Sequence, residues 1–132
     1  MKCTLMGHPM NFRTVREAYD LFSEAGIVVL YPCAADMTDA DAYLNLDLAK
    51  NGAQQFRSLL DTIKESNFLY IDNPLNSFDR RESFCAGYAH GLEKQIFSSN
   101  RVENLPLEDC FFIRVLSPRE VIEFMRAQKI VF

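Results

Sequence analysis

Apolar residues fall into two textures along this chain: short unbroken runs of strand length, and longer stretches in which they recur every three or four positions. The first kind reads as strands covered on both faces and the second as amphipathic helices. The pattern predicts strands over 3–6, 27–31, 68–71, 95–98 and 110–115, with helices over 14–24, 53–65 and 81–92 and a last one from Pro118 onward. Val15, Ala18, Tyr19 and Phe22 form the apolar stripe of the first helix, and Phe56, Leu59, Leu60 and Ile63 that of the second. Strand and helix alternate throughout, which is the mark of repeated strand-helix-strand units around a parallel sheet.

Local punctuation sets the boundaries. Gly26 closes the first helix. The run 27–31 is uniformly apolar, so it is expected to be a central strand, and Pro32 limits its extension. Ser117, Pro118 and Glu120 have the spacing of a helix start, with cap, first-position proline and third-position glutamate. Residues 34–51 turn acidic, with Asp36, Asp39, Asp41 and Asp47 around Tyr43, Leu44, Leu46 and Leu48, and read as a short helix or ordered loop. Residues 100–109 read as loop, and 130–132 as a short apolar tail suited to subunit packing or to folding back on its own domain. The expected product is an α/β fold: a single doubly wound, flavodoxin-like five-stranded parallel sheet with helices on both faces. No repeat, low-complexity segment or linker divides the chain, so residues 1–132 are read as one domain.

Composition narrows the partners. The chain has 132 residues, 48% of them apolar, which suffices for a substantial core. A net charge of -4, with Arg80-Arg81 the sole adjacent basic pair, argues against a nucleic-acid partner, whose phosphates demand clustered Lys and Arg. No apolar run approaches the roughly 20 residues of a membrane span, and the N-terminus has no signal-peptide pattern, so a cytoplasmic protein without membrane contact is expected. Cys3, Cys33, Cys85 and Cys110 form no Cys-x-x-Cys pair, which suggests neither zinc nor a disulfide framework; no metal or cofactor is expected. Cys3, Cys33 and Cys110 lie in or beside apolar runs and are expected to act as small core residues.

The chemistry concentrates where the run 68–71 meets Asp72-Asn73-Pro74 and a helix follows, because strand carbonyl ends and helix amide ends converge there on ligands. Asp72 and Asn73 are expected to face that cleft. The Asn73 amide suits a ribose hydroxyl or a base edge, while Asn73-Pro74 is also ordinary turn chemistry. Gly7 and His8 follow the first strand, where exposed amides can hold a phosphate or a sugar hydroxyl and His8 can donate to an anion or simply be solvated. The absence of further glycines there excludes a dinucleotide or Walker-type loop. Asp61 lies on the amphipathic helix before the third strand, a position that usually faces water, and His90 is expected to pack or cap.

Three short words carry a resemblance. They are Leu5-Met6-Gly7-His8-Pro9-Met10-Asn11-Phe12, the stretch from Ile63 through Asn67 to Ile71, and Gly87-Tyr88-Ala89 with Lys94 and Ile96 downstream. Together they resemble the nucleoside 2-deoxyribosyltransferase-like family, which includes deoxynucleoside 5'-monophosphate N-glycosidases. The resemblance implies a cleft at the strand ends for a small-molecule nucleoside or nucleotide, and Gly7, His8, Asp72, Asn73 and Tyr88 are the residues expected to bind substrate there. It also implies an acidic substrate contact at Asp79, an active site often completed by a second subunit of a homodimer, and a Glu nucleophile two residues before Gly-Tyr-Ala. That position is Cys85 here, and Asn67 stands where relatives carry Asp.

The substitution matters because attack at an anomeric carbon passes through an oxocarbenium-like state that a carboxylate stabilises and later leaves. Cys85 therefore has three readings: inert packing, a thiol activated by the helix dipole, or the trace of a lost nucleophile in a pocket that still binds. Glu82, one turn earlier, can supply the carboxylate or merely favour the helix N-terminus from solvent. Asp79 can contact substrate or act as an N-cap. The functional expectation is an N-glycosidic hydrolase or deoxyribosyltransferase-like enzyme using Glu82, Asp79 and Cys85. The alternative is a nucleoside-binding protein without turnover, and a more distant one is an interaction module engaging a partner through the acidic segment.

Overall fold

The computed structural model describes residues 1–48 and 52–131. Its centre is a five-stranded, all-parallel sheet in the order β2-β1-β3-β4-β5. The strands are β1 (Lys2–Gly7), β2 (Val28–Tyr31), β3 (Phe68–Asp72), β4 (Gln95–Ser98) and β5 (Ile113–Val115). The helices are α1 (Phe12–Glu24), α2 (Ala40–Leu48), α3 (Gly52–Glu65), α4 (Arg80–Gly91), the single turn α5 (Leu107–Cys110) and α6 (Pro118–Val131). Short 3-10 turns cover Pro9–Asn11 and Ala34–Met37. This is the flavodoxin-like α/β architecture that the alternating pattern predicts.

Successive residues of β3 explain why both faces need cover. Phe68 and Tyr70 point to one face and join Val15 and Phe22 of α1 and Val121 of α6; Leu69 and Ile71 point to the other and join Leu59 and Ile63 of α3 and Ala89 of α4. Phe22 meets Phe68 and Tyr70 edge-on, with ring centroids 5.6 and 5.3 Å away. Pairs in this geometry add about 0.5–1.5 kcal/mol each to simple area burial. Every residue of β3 is buried, so β3 is the central strand.

That placement corrects the reading of 27–31 as central. β2 pairs only with β1 and forms a sheet edge, with Val28 53% exposed. Its apolarity arises because Ile27 and Val29 still pack on the α1 core while Val28 points away from it. The edge also carries Cys33 out of the core: the residue is exposed and its thiol donates to Asp36 Oδ2 at 2.8 Å. Cys3 is buried as expected, and Cys110 is half-buried within α5. The fifth strand begins at Ile113 rather than Cys110, because one helical turn occupies the end of the segment expected to be loop. The Ser117 start of α6 is present: Ser117 N donates to Glu120 Oε1 at 2.9 Å, and Glu120 N donates to Ser117 Oγ at 3.2 Å. The acidic stretch forms α2 up to Leu48, while Asn51 and the side chains of the apolar tail lie outside the described residues. Among the described residues no helix is long and apolar enough to cross a membrane.

Candidate functional site

β1 and β3 lie side by side and end together, Gly7 paired with Asp72, so the loops that leave them open onto the same edge of the sheet. Gly7 is required there by space: a Cβ on it would lie 2.4 Å from Val15 Cγ2. Its carbonyl accepts a 2.6 Å hydrogen bond from the Tyr43 hydroxyl of α2, which fixes the turn into His8. From β3 the chain runs through 73–79 to α4, whose start is a complete capping box. Glu82 N donates to Asp79 Oδ1 at 2.7 Å and Asp79 N donates to Glu82 Oε1 at 2.9 Å. Such a cap contributes about 1 kcal/mol to helix stability.

Between these loops lies a cavity of about 550 Å³, lined by His8, Met10, Asn11, Asp72, Asn73, Leu75, Ser77, Phe78, Asp79 and Glu82. It is large enough for a nucleoside-sized ligand. A much smaller cavity of about 20 Å³ shares Asp79 and Glu82 and includes Gly7 and Arg81; it has room for little more than a water. The wall of the large cavity combines carboxyl groups with exposed apolar rims, Met10 at 87% and Leu75 at 78% exposure.

The three carboxyl groups differ in environment. Asp72 is buried, and loss of hydration lifts its carboxyl above the usual range; hydrogen bonds from Thr14 and Ser99 offset part of this, while Glu17 adds to it. Thr14 Oγ1 donates to Asp72 Oδ2 at 2.6 Å. Glu82 is also buried, so its role in the helix first turn does not leave it solvated. Asp79 is exposed at the cavity wall. His8 Nδ1 accepts from Met10 N at 3.1 Å, which leaves the neutral ring with its proton on Nε2 as a donor.

The structure brings together His8, Asp72, Asn73, Asp79 and Glu82 around the large cavity, while Gly7 lines the small one. Asn73 contributes to the wall, but its amide is engaged elsewhere. Its Nδ2 donates to Asn100 O at 2.8 Å, and its Oδ1 accepts from Asn100 N at 2.9 Å and Ser99 Oγ at 3.1 Å. The reading of that amide as a substrate ligand gives way to a structural one. Tyr88, half-buried two turns along α4, lines neither cavity.

Cys85 is the sixth residue of α4, not a first-turn residue, and is fully buried against the α3 side of the core. The helix dipole fades beyond the first turn, and burial pushes the thiol up to about 12. The reading of Cys85 as an activated thiol therefore gives way to packing. Asp61 is exposed on α3, as an amphipathic pattern requires.

Sequence reasoning missed Thr14, which reaches Asp72 across the paired strand ends, and the apolar rims Met10 and Leu75. Thr14 had one available signal: it lies in the first turn of the helix after β1, beside the end of whichever strand neighbours β1. No family model matches this sequence, and no curated protein matches it.

Proposed function

We propose that the chain binds a nucleoside or nucleotide in the 550 Å³ cavity and cleaves its N-glycosidic bond. The observation that supports this most is the division of carboxyl environments in one cavity: a buried Asp72 biased toward its protonated form, and an exposed Asp79. A buried carboxyl held toward its protonated form with an exposed carboxyl in the same cavity is a combination suited to acid and base roles. In the proposed reaction Asp72 gives its proton to the departing base nitrogen as the glycosidic bond breaks. Water forms the new bond to the anomeric carbon, and its proton passes to the Asp79 carboxylate. Glu82 lies beside them, and its carboxyl would favour the oxocarbenium-like state when ionised. Met10 and Leu75 offer apolar surface to a flat base, and His8 Nε2 offers a donor to a hydroxyl or phosphate.

A second reading, binding without turnover, is favoured by a separate observation. Asp79 and Glu82 each commit an oxygen to the capping box, and Cys85, at the position where the family this sequence resembles carries its nucleophile, is buried. The two readings are separated by incubating the purified protein with deoxynucleosides and their 5'-monophosphates and following free base by chromatography. Hydrolysis predicts base release that fails in Asp72→Asn and in Asp79→Asn, the latter chosen because Asn keeps the helix cap. Ligand binding with no base release supports the second reading, and absence of both rejects the nucleoside assignment.

A further inference from the structure

The cavity wall formed by loop 73–79 has neither helix nor strand to satisfy its backbone, and yet Phe78 within it is buried. Several of its hydrogen bonds come from the segment that follows β4. Glu103 N donates to Asn76 O at 2.8 Å, and Asn100 Nδ2 donates to Asn73 O at 3.1 Å. Asn104 makes the closest imitation of a neighbouring strand. Phe78 N donates to Asn104 Oδ1 at 2.9 Å, and Asn104 Nδ2 donates to Phe78 O at 2.7 Å. Val102, buried between these contacts, anchors the segment in the α3 and α4 side of the core. Asn104 itself is exposed and is absent from the cavity lining.

We infer that Asn104 is a positioning residue for the ligand cavity: its two hydrogen bonds to the Phe78 backbone hold the wall that carries Ser77, Phe78 and the helix cap Asp79. The physical reason is the cost of leaving a buried backbone group unpaired. Without Asn104, the Phe78 N–H and carbonyl find partners only by turning toward water. That movement takes Asp79 and the start of α4 with it, because Asp79 is the next residue and caps the helix. A carboxamide is needed at 104 because one face of the contact is an acceptor and the other a donor.

The choice of probe rests on the proposed function; the clasp itself does not. In Asn104→Asp, the carboxylate still accepts from Phe78 N but turns a second acceptor toward Phe78 O. Protonation restores the donor. Affinity for 2'-deoxyadenosine 5'-monophosphate, measured by calorimetry relative to the unmodified protein, is expected to fall about tenfold near neutral pH, the equivalent of one such bond. The deficit is expected to shrink as pH falls through about 3.9, the ordinary aspartate value, where the introduced carboxyl takes up its proton. The other charged groups around this contact, Glu103 and Arg101 on the same segment and Asp79 and Arg80 after Phe78, are present in both proteins and cancel in the ratio. Asn104→Ala is expected to be weak at both pH values.

Unchanged affinity in Asn104→Ala, or a deficit in Asn104→Asp that does not respond to pH, overturns the inference. Should the unmodified protein not bind this nucleotide, the nucleotide reading fails and amide hydrogen exchange over 74–79 decides the clasp. Faster exchange in Asn104→Ala supports it, and unaltered exchange overturns it.

Discussion

Thr14 Oγ1 lies 2.6 Å from Asp72 Oδ2, joining the first turn of α1 to the end of β3 directly beneath the cavity. This contact crosses 58 residues of sequence and exists because β1 and β3 are neighbours that end in register. It is the main partner that a buried carboxyl has for its charged form. Thr14→Val is expected to destabilise the fold by about 1.5–3 kcal/mol where Asp72 is ionised, the range for hydrogen bonds to charged groups. Denaturant unfolding at neutral and acid pH checks it, with the loss shrinking once Asp72 is protonated.

Asp72 sets a pH dependence of its own. Its folded-state pKa is raised by burial. The stabilising balance is therefore complete below the ordinary carboxyl pKa, about 3.9, and is lost as pH rises through the higher folded value. Asp72→Asn, which removes the charge and keeps the shape, is expected to raise the melting temperature near neutral pH. The gain should vanish in acid. Calorimetric scans across that range would show the reverse trend if Asp72 were comfortably ionised in the fold.

Gly7→Ala tests the packing beneath the site. The added methyl meets Val15 Cγ2 at 2.4 Å, and Val15 is fully buried, so the clash cannot be relieved by rotation into solvent. Overpacking of this kind costs about 1–3 kcal/mol. Combining it with Val15→Ala should recover part of that loss, and the urea midpoints of the three variants measure it.

The thiols should react in the order of their surroundings. Cys33 is exposed, whereas burial raises both Cys3 and Cys85 to about 12. Alkylation of the folded protein followed by mass spectrometry is expected to label Cys33 and to spare Cys3 and Cys85 until denaturant is added. Early labelling of Cys85 would contradict its packing role.

These particulars show what the sequence discloses and what it withholds. The apolar runs and the three-and-four stripe of Val15, Ala18 and Phe22 announce strands and helices because local periodicity is what burial selects. Strand order is different information. Val28, Val29 and Leu30 look alike whether the strand is central or at an edge, and only the crossover back to β3 leaves Val28 exposed. The sheet edge that opens onto the candidate cavity was legible from Phe68 to Asn73, and Asp72, Asp79, Glu82 and His8 line that cavity. The fates of the Asn73 amide and of Cys85 were not. Asn73 is claimed by Asn100, and Cys85 is turned inward because α4 begins at Arg80; both depend on contacts and helix phase that spacing alone does not encode.

The most direct test follows backbone amide shifts in labelled protein while 2'-deoxyadenosine 5'-monophosphate is added. A nucleoside cavity at the ends of β1 and β3 predicts saturable shifts at His8, Asn11, Asp72 and the 73–79 loop, with the β5 side of the molecule unmoved. Shifts confined to other surfaces, or none at any concentration together with none from the free deoxynucleosides, would contradict the account.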